Sequence, residues 1–232
     1  MIIKFYELKN KINQYKFFLL YGNNTGLIEE TIENILKPNL SKNIFNYEES
    51  EIINNSENFK GELLNKSFFD NEKLIIISRV SDKIFNILDD ILNKKINDIS
   101  IILISGGLEK KSKIRNLFEK AKDFGAVPCY EDNLISIRNL IQKELKGFKN
   151  LTPQNLNLII ENCNLERSKL YNELEKIKLF FLNKELNTDK LEQLLDVRLN
   201  ENFNNLKDEV FKGNKVKTNK LLNDTLIEQE KI

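Results

Sequence analysis

Histidine is absent from this sequence of 232 residues. Without imidazole there is no Ser-His-Asp triad, no His-based general acid–base pair and no His-ligated metal. The two cysteines, Cys129 and Cys163, lie far apart with no C-x-x-C spacing. That fits a reduced cytosolic compartment with no disulfide or zinc framework, and both thiols are read as small buried apolar groups. Excess charge of one sign is also missing. The 36 basic and 35 acidic side chains leave a formal net charge of +1, so nucleic-acid contact has to be local rather than spread over a basic surface. Long apolar runs are lacking too. Leu74 to Ile77 and Ile101 to Ile104 are far short of the roughly 20 residues of a membrane helix, and lysines interrupt the first residues before a secretory core can form. The expectation is a soluble cytoplasmic protein with no membrane contact.

What is present is a 41% hydrophobic content, enough for a sizeable core divided among two or more units. Short β-rich runs (FFLLY 17–21, IFNYE 44–48, KLIIIS 73–78, SIILIS 100–105, AVPCY 126–130) alternate with helical patterns over 26–37, 51–65, 82–94 and 109–123. This alternation predicts an α/β fold with a five-stranded parallel sheet between helices. Runs apolar at consecutive positions, such as LIII, suit central strands buried on both faces. After Tyr130 the pattern is helical. The spacing predicts helices over 134–146, from Pro153 behind a Thr152 cap to Cys163, from an Asn164 cap through Phe181, and over 189–196 behind a Thr188 cap. One helix to Phe211, a Gly213-Asn214 break and a further helix follow. Its apolar Leu221, Leu222 and Ile227 lack partners, so the chain is expected to continue in nature.

The first strand runs into Gly22, then Gly26, then a helix, which is the layout of a phosphate-binding loop. A working loop, G-x-x-x-x-G-K-[ST], wraps phosphates in backbone N–H groups, neutralises them with lysine and holds magnesium with a hydroxyl. Aligned on Gly22, those places hold Leu27, Ile28 and Glu29, and Gly26 falls one position early. Glu29 and Glu30 would repel a triphosphate. The acidic pair that holds magnesium after the third strand is replaced by Ser78-Arg79. No ATP hydrolysis, no cofactor, no metal and no catalytic residue is expected, and Gly22 and Gly26 are read as serving a tight βα turn.

Three segments, FFLLYGNNTGLIEETIENIL, LISGGLEKKSKIRNLFEKAKDFGAVPCYED and LTPQNLNLIIENCNLERSKLYNELEKIKLF, together resemble the delta subunit of the bacterial DNA polymerase III clamp loader. The resemblance runs in order over roughly 15–200 and implies a RecA-like AAA+ module (1–136), a helical lid (137–200) and the start of a helical collar (201–232). It implies a structural member of a hetero-oligomeric ring that grips and opens the sliding clamp, with ATP bound by other subunits. Such a chain belongs to the polymerase holoenzyme, a nucleotidyltransferase complex, without performing that chemistry.

The family's gripping element is a helix before the third strand that ends in adjacent large apolar residues. Here these are Phe68 and Phe69, with Leu64 one turn earlier; Lys66 stands where some members carry a further apolar residue. Adjacent helical side chains point about 100° apart, so both rings cannot face one internal core with Leu64. The bland alternative is that both rings cap their own core. Lys110, Lys111, Lys113 and Arg115 crowd the start of the helix after the fourth strand; they are either solvated charge balanced by Glu109 and Glu119 or phosphate contacts to primer–template DNA. Arg167, Glu173 and Glu175 resemble the family's polar lid pattern. Two rival readings stand beside this one. The first is a P-loop ATPase with an atypical site. The second is the related delta-prime stator, whose zinc-binding cysteines and Ser-Arg-Cys motif this sequence lacks.

Overall fold

The computed structural model describes residues 1–40, 43–64, 72–92, 98–195 and 206–229. It forms two compact units, Met1–Glu131 and Asp132–Ile232.

The first unit opens with α1 (Phe5–Lys11) and is built on β1 (Phe17–Tyr21), β2 (Ile44–Glu48), β3 (Lys73–Ser78), β4 (Ile99–Ser105) and β5 (Phe124–Pro128). All pairings are parallel, in the order β2-β3-β4-β1-β5. Period-2 alternation sorts each apolar run onto two faces. Leu19, Tyr21, Ile75, Ile77, Ile101 and Leu103 enter one core with Phe59, Leu88, Ile114 and Phe118. Phe18, Leu20, Leu74, Ile76 and Ile102 enter the other with Leu8, Leu27, Ile28, Ile32 and Leu36. Consecutive apolar residues therefore mark strands covered on both sides.

The helices that cover these faces follow the chain. After β1, α2 (Thr25–Thr31) passes through a π turn (Ile32–Leu36) into α3 (Lys37–Asn39). The helical pattern over 51–65 is two helices, α4 (Glu49–Asn54) and α5 (Ser56–Leu64), separated at Asn55, whose φ of -131° and ψ of 45° leave the helical region. The Glu48 N–H donates to the Glu51 carboxylate at 2.8 Å, which starts α4 earlier than the apolar pattern alone. The 82–94 pattern is a 3-10 turn (Asp82–Ile84) leading into α6 (Phe85–Leu92), and 109–123 shortens to α7 (Lys113–Lys120).

The last strand sits two residues earlier than its composition implies. Gly125 pairs with Phe18, and a Cβ there would lie 2.9 Å from the Phe18 ring, so the glycine is a close approach rather than a turn. Pro128, lacking an N–H, closes the strand. Residues 1–3 line the outer edge of β5, with Ile3 N–H to Ala126 O at 2.8 Å and Ala126 N–H to Met1 O at 2.9 Å.

The second unit packs α8 (Leu134–Glu144), α9 (Pro153–Cys163), α10 (Arg167–Phe180) and α11 (Thr188–Leu194) around one core that includes Ile137, Ile141, Ile159, Leu170, Leu174, Ile177 and Leu191. Helical residues 206–211, here α12, and α13 (Lys215–Gln229) follow. Thr152 caps α9 as its position before Pro153 dictates, accepting from Asn155 N–H at 3.3 Å. Two cap assignments change. Asn164 ends α9 in the left-handed region at φ 50° instead of opening α10, a role asparagine fills because it tolerates that conformation. Asn187, not Thr188, caps α11, its side chain accepting from Lys190 N–H at 3.0 Å.

Candidate functional site

At the C-terminal end of β1 the chain turns sharply at Gly22, whose φ is +138°. A Cβ built there would stand 2.0 Å from the Cys129 carbonyl oxygen, so only glycine lets the turn press against the exit of β5. A phosphate loop must leave its N–H groups pointing at the anion. Here four of them are already engaged within the chain. Gly22 N–H donates to Gly106 O at 3.0 Å, Asn24 N–H to Cys129 O at 3.2 Å and Thr25 N–H to Asn23 O at 3.1 Å. Leu27 N–H donates to the Asn24 side-chain oxygen at 3.0 Å. Gly26, Leu27 and Ile28 are buried in the first turns of α2. Ile28, in the place of the lysine, belongs to the second apolar core, so that position faces the protein interior.

The metal-carboxylate position after β3 is likewise differently used. The Ser78 hydroxyl donates to Tyr47 O at 3.2 Å, and Arg79 pairs with Glu48 at 3.1 Å on the surface. Among the described residues no cluster of three His, Cys, Asp or Glu side chains is arranged to hold a metal.

Beside the turn lies a polar network that sequence reading missed. The Tyr21 hydroxyl donates to Glu119 at 2.6 Å, and Arg115 Nε donates to the same carboxylate oxygen at 2.8 Å. Arg115 also donates to Leu108 O at 2.8 Å and lies over the Tyr21 ring, 4.9 Å from its centroid. Burial and the Glu119 carboxylate push the Tyr21 hydroxyl well above the ordinary phenol range. Burial pulls Glu119 upward, but donation from Tyr21 and Arg115 outweighs it and holds the carboxyl below its usual value. Asp82 is a second missed residue. Its carboxylate accepts from the Ser112 hydroxyl at 2.7 Å and from Lys113 and Ile114 N–H at 3.0 Å each, capping α7 from 30 residues away.

The four basic residues singled out in the sequence are therefore not equivalent. Arg115 is committed to the Tyr21–Glu119 network, whereas Lys110, Lys111 and Lys113 are exposed. Lys111 pairs with Glu109 at 2.8 Å, and Lys113 lies 5.8 Å from the Phe85 ring centroid. Phe68 and Phe69 lie outside the described residues; Leu64 is the last residue of α5, which buries Phe59 and Leu63 against the sheet. In the second unit Arg167 pairs with Asp132, and Glu173, buried on α10, has Lys176 at 2.6 Å.

Residues 18–128 match the family described as DNA polymerase III, delta subunit. The sequence matches no curated protein. Among solved structures the chain is similar to the Bacillus subtilis DNA clamp loader delta protein (YqeN). The TM-score is 0.66 at 15% identity, over 97% of this chain and 71% of that one. It is also similar to two variants of Thermotoga maritima RuvB, with TM-scores of 0.50 and 0.51 at 13% identity, over 83% of this chain and 65% of theirs. At such identities the structural likeness speaks to the fold alone, an α/β module with a five-stranded parallel sheet followed by a helical region.

Proposed function

We propose that this chain, whose residues 18–128 carry the pattern of the DNA polymerase III delta-subunit family, serves clamp loading by binding the sliding clamp and holding it open. It does so without hydrolysing ATP. The observation that carries this reading is the closed turn after β1. The N–H groups of Gly22, Asn24, Thr25 and Leu27 are spent on Gly106, Cys129, Asn23 and Asn24, and the lysine position is buried as Ile28. A fold of nucleotide-binding type with that loop shut retains value as a scaffold in an assembly whose ATP is bound elsewhere.

The gripping residues in this reading are Phe68 and Phe69 with Leu64, at the end of the segment that begins with α5. Energy released where the two rings bind the clamp would favour its open form; a buried aromatic anchor of this kind is worth about 2 kcal/mol or more. The partners are the sliding clamp, the other clamp-loader subunits in a hetero-oligomeric ring and, through the complex, primer–template DNA. Contacts to its phosphates fall to the exposed Lys110, Lys111 and Lys113. The setting is the cytoplasm, and among the described residues no helix is long and apolar enough to cross a membrane. A titration of the isolated chain with fluorescent Mg·ATP separates this reading from an atypical ATPase. No saturable binding is expected, and magnesium-dependent saturation would favour the enzyme.

A further inference from the structure

Asn24 makes more of the turn than a helix cap. Its side-chain oxygen accepts from Leu27 N–H at 3.0 Å, its side-chain amide donates to Tyr130 O at 3.1 Å, and its own N–H donates to Cys129 O at 3.2 Å. The amide orientation follows from these partners, because a flipped group would set donor against donor and acceptor against acceptor. Asn24 is 7% exposed and its bond from Leu27 is buried, where an unmade one is expensive, while the bond to Tyr130 is part-buried. Cys129 and Tyr130 are not incidental partners. They follow β5 directly and precede Glu131, where the first unit ends. Cys129 N–H also donates to Tyr21 O at 2.7 Å, so residues 129–130 are held from both sides of the Gly22 turn.

We propose that Asn24 is a positioning residue that fixes the chain's exit from the first unit, residues 129–131, to the start of α2. The inference deepens the proposed function and rests on it only in holding that no nucleotide enters the turn. Asparagine suits the task because the task needs an acceptor and a donor on one short side chain. Aspartate keeps the acceptor for Leu27 but turns an oxygen toward the Tyr130 carbonyl; alanine loses both.

The test is amide hydrogen exchange on the full chain, read separately at Leu27 and over 129–133. In Asn24→Asp, Leu27 stays protected while exchange over 129–133 rises about tenfold, the value of one hydrogen bond; in Asn24→Ala both rise. In the unaltered chain, backbone order at 129–131 equals that of β5, and adding Mg·ATP changes nothing. Unchanged exchange over 129–133 in Asn24→Asp overturns the proposal. So does disorder of 129–131 in the unaltered chain, a reading that holds even if the variants fold poorly. Slowing of exchange by Mg·ATP would instead sink the nucleotide-free reading of the turn. Loss or retention of clamp binding, measured apart, bears on neither exchange result.

Discussion

Arg167 grips Asp132 with two hydrogen bonds of 2.7 Å, from Nε and Nη2 to the two carboxylate oxygens, the side chains being 9% and 5% exposed. The Ser136 hydroxyl adds a third donor at 2.7 Å. A pair this buried holds only while both halves are present, because each has surrendered its hydration. Arg167→Ala is expected to destabilise the helical unit by about 3–5 kcal/mol. Urea unfolding followed by a probe in that unit measures it. A change below about 1 kcal/mol would mean the pair is solvated after all.

Arg115 and the neighbouring lysines separate by phenotype. Arg115→Ala leaves the half-buried Glu119 and the buried Tyr21 without their guanidinium and is expected to lower the stability of the α/β unit by about 2 kcal/mol. Replacing Lys110, Lys111 and Lys113 by alanine leaves the melting temperature nearly unchanged. On the proposed function, the same replacement is expected to weaken binding of a reconstituted clamp loader to primed DNA and to lower the salt dependence of that binding. Thermal melts and DNA titrations at two salt concentrations distinguish the two groups.

Asp82 makes stability depend on acid. Burial raises its carboxyl, but the Ile114 N–H, the Ser112 hydroxyl and the Lys113 N–H outweigh it and hold the folded value below the ordinary 3.8. A depressed folded value means that the stabilisation is complete above the unfolded value and disappears as pH falls through the folded one. Asp82→Ala is therefore expected to cost about 1 kcal/mol at pH 7, as a lost cap does. The gap to the unaltered protein should close below about pH 4. Denaturant melts across that range measure it, and a gap that persists at pH 2 would contradict the assignment.

Gly22 tests the turn itself. Alanine there, held at a φ of +138°, also pushes its Cβ to 2.0 Å from the Cys129 carbonyl oxygen. Strain of this type is worth at least about 2 kcal/mol. Gly22→Ala should lower the chemical midpoint accordingly, whereas Gly147→Ala, at a φ of +90° with open space around its Cβ, meets backbone strain alone and should lower it less.

The sheet was legible in the sequence because two-sided burial leaves a plain mark, four or five apolar residues in succession, as in Leu74 to Ile77. β5 was displaced because Phe124-Gly125 resembles a turn until Phe18 is known to lie against the glycine. Asn164 and Thr188 were misassigned because cap chemistry leaves the choice between neighbouring residues to φ and ψ, as Asn164 at φ 50° and the Asn187 side chain show. The loss of lysine, hydroxyl and carboxylates from the phosphate loop could be read directly. That the N–H groups of Gly22 and Asn24 are already spent could not, since Gly106 and Cys129, just past β4 and β5, lie far along the sequence. Arg115 was grouped with the lysines because a helical arginine among them carries no trace in sequence of Tyr21, 94 residues away.

In the proposed function, an α/β scaffold with a closed turn after β1 grips the sliding clamp through Phe68 and Phe69. The most direct measurement is the affinity of the full chain for its organism's clamp, compared with Phe68→Ala/Phe69→Ala, with folding of both checked by circular dichroism. The account predicts binding by the unaltered chain and at least about a thirtyfold loss in the double variant, as expected for a buried aromatic anchor worth about 2 kcal/mol or more. Equal retention of the two proteins would contradict it.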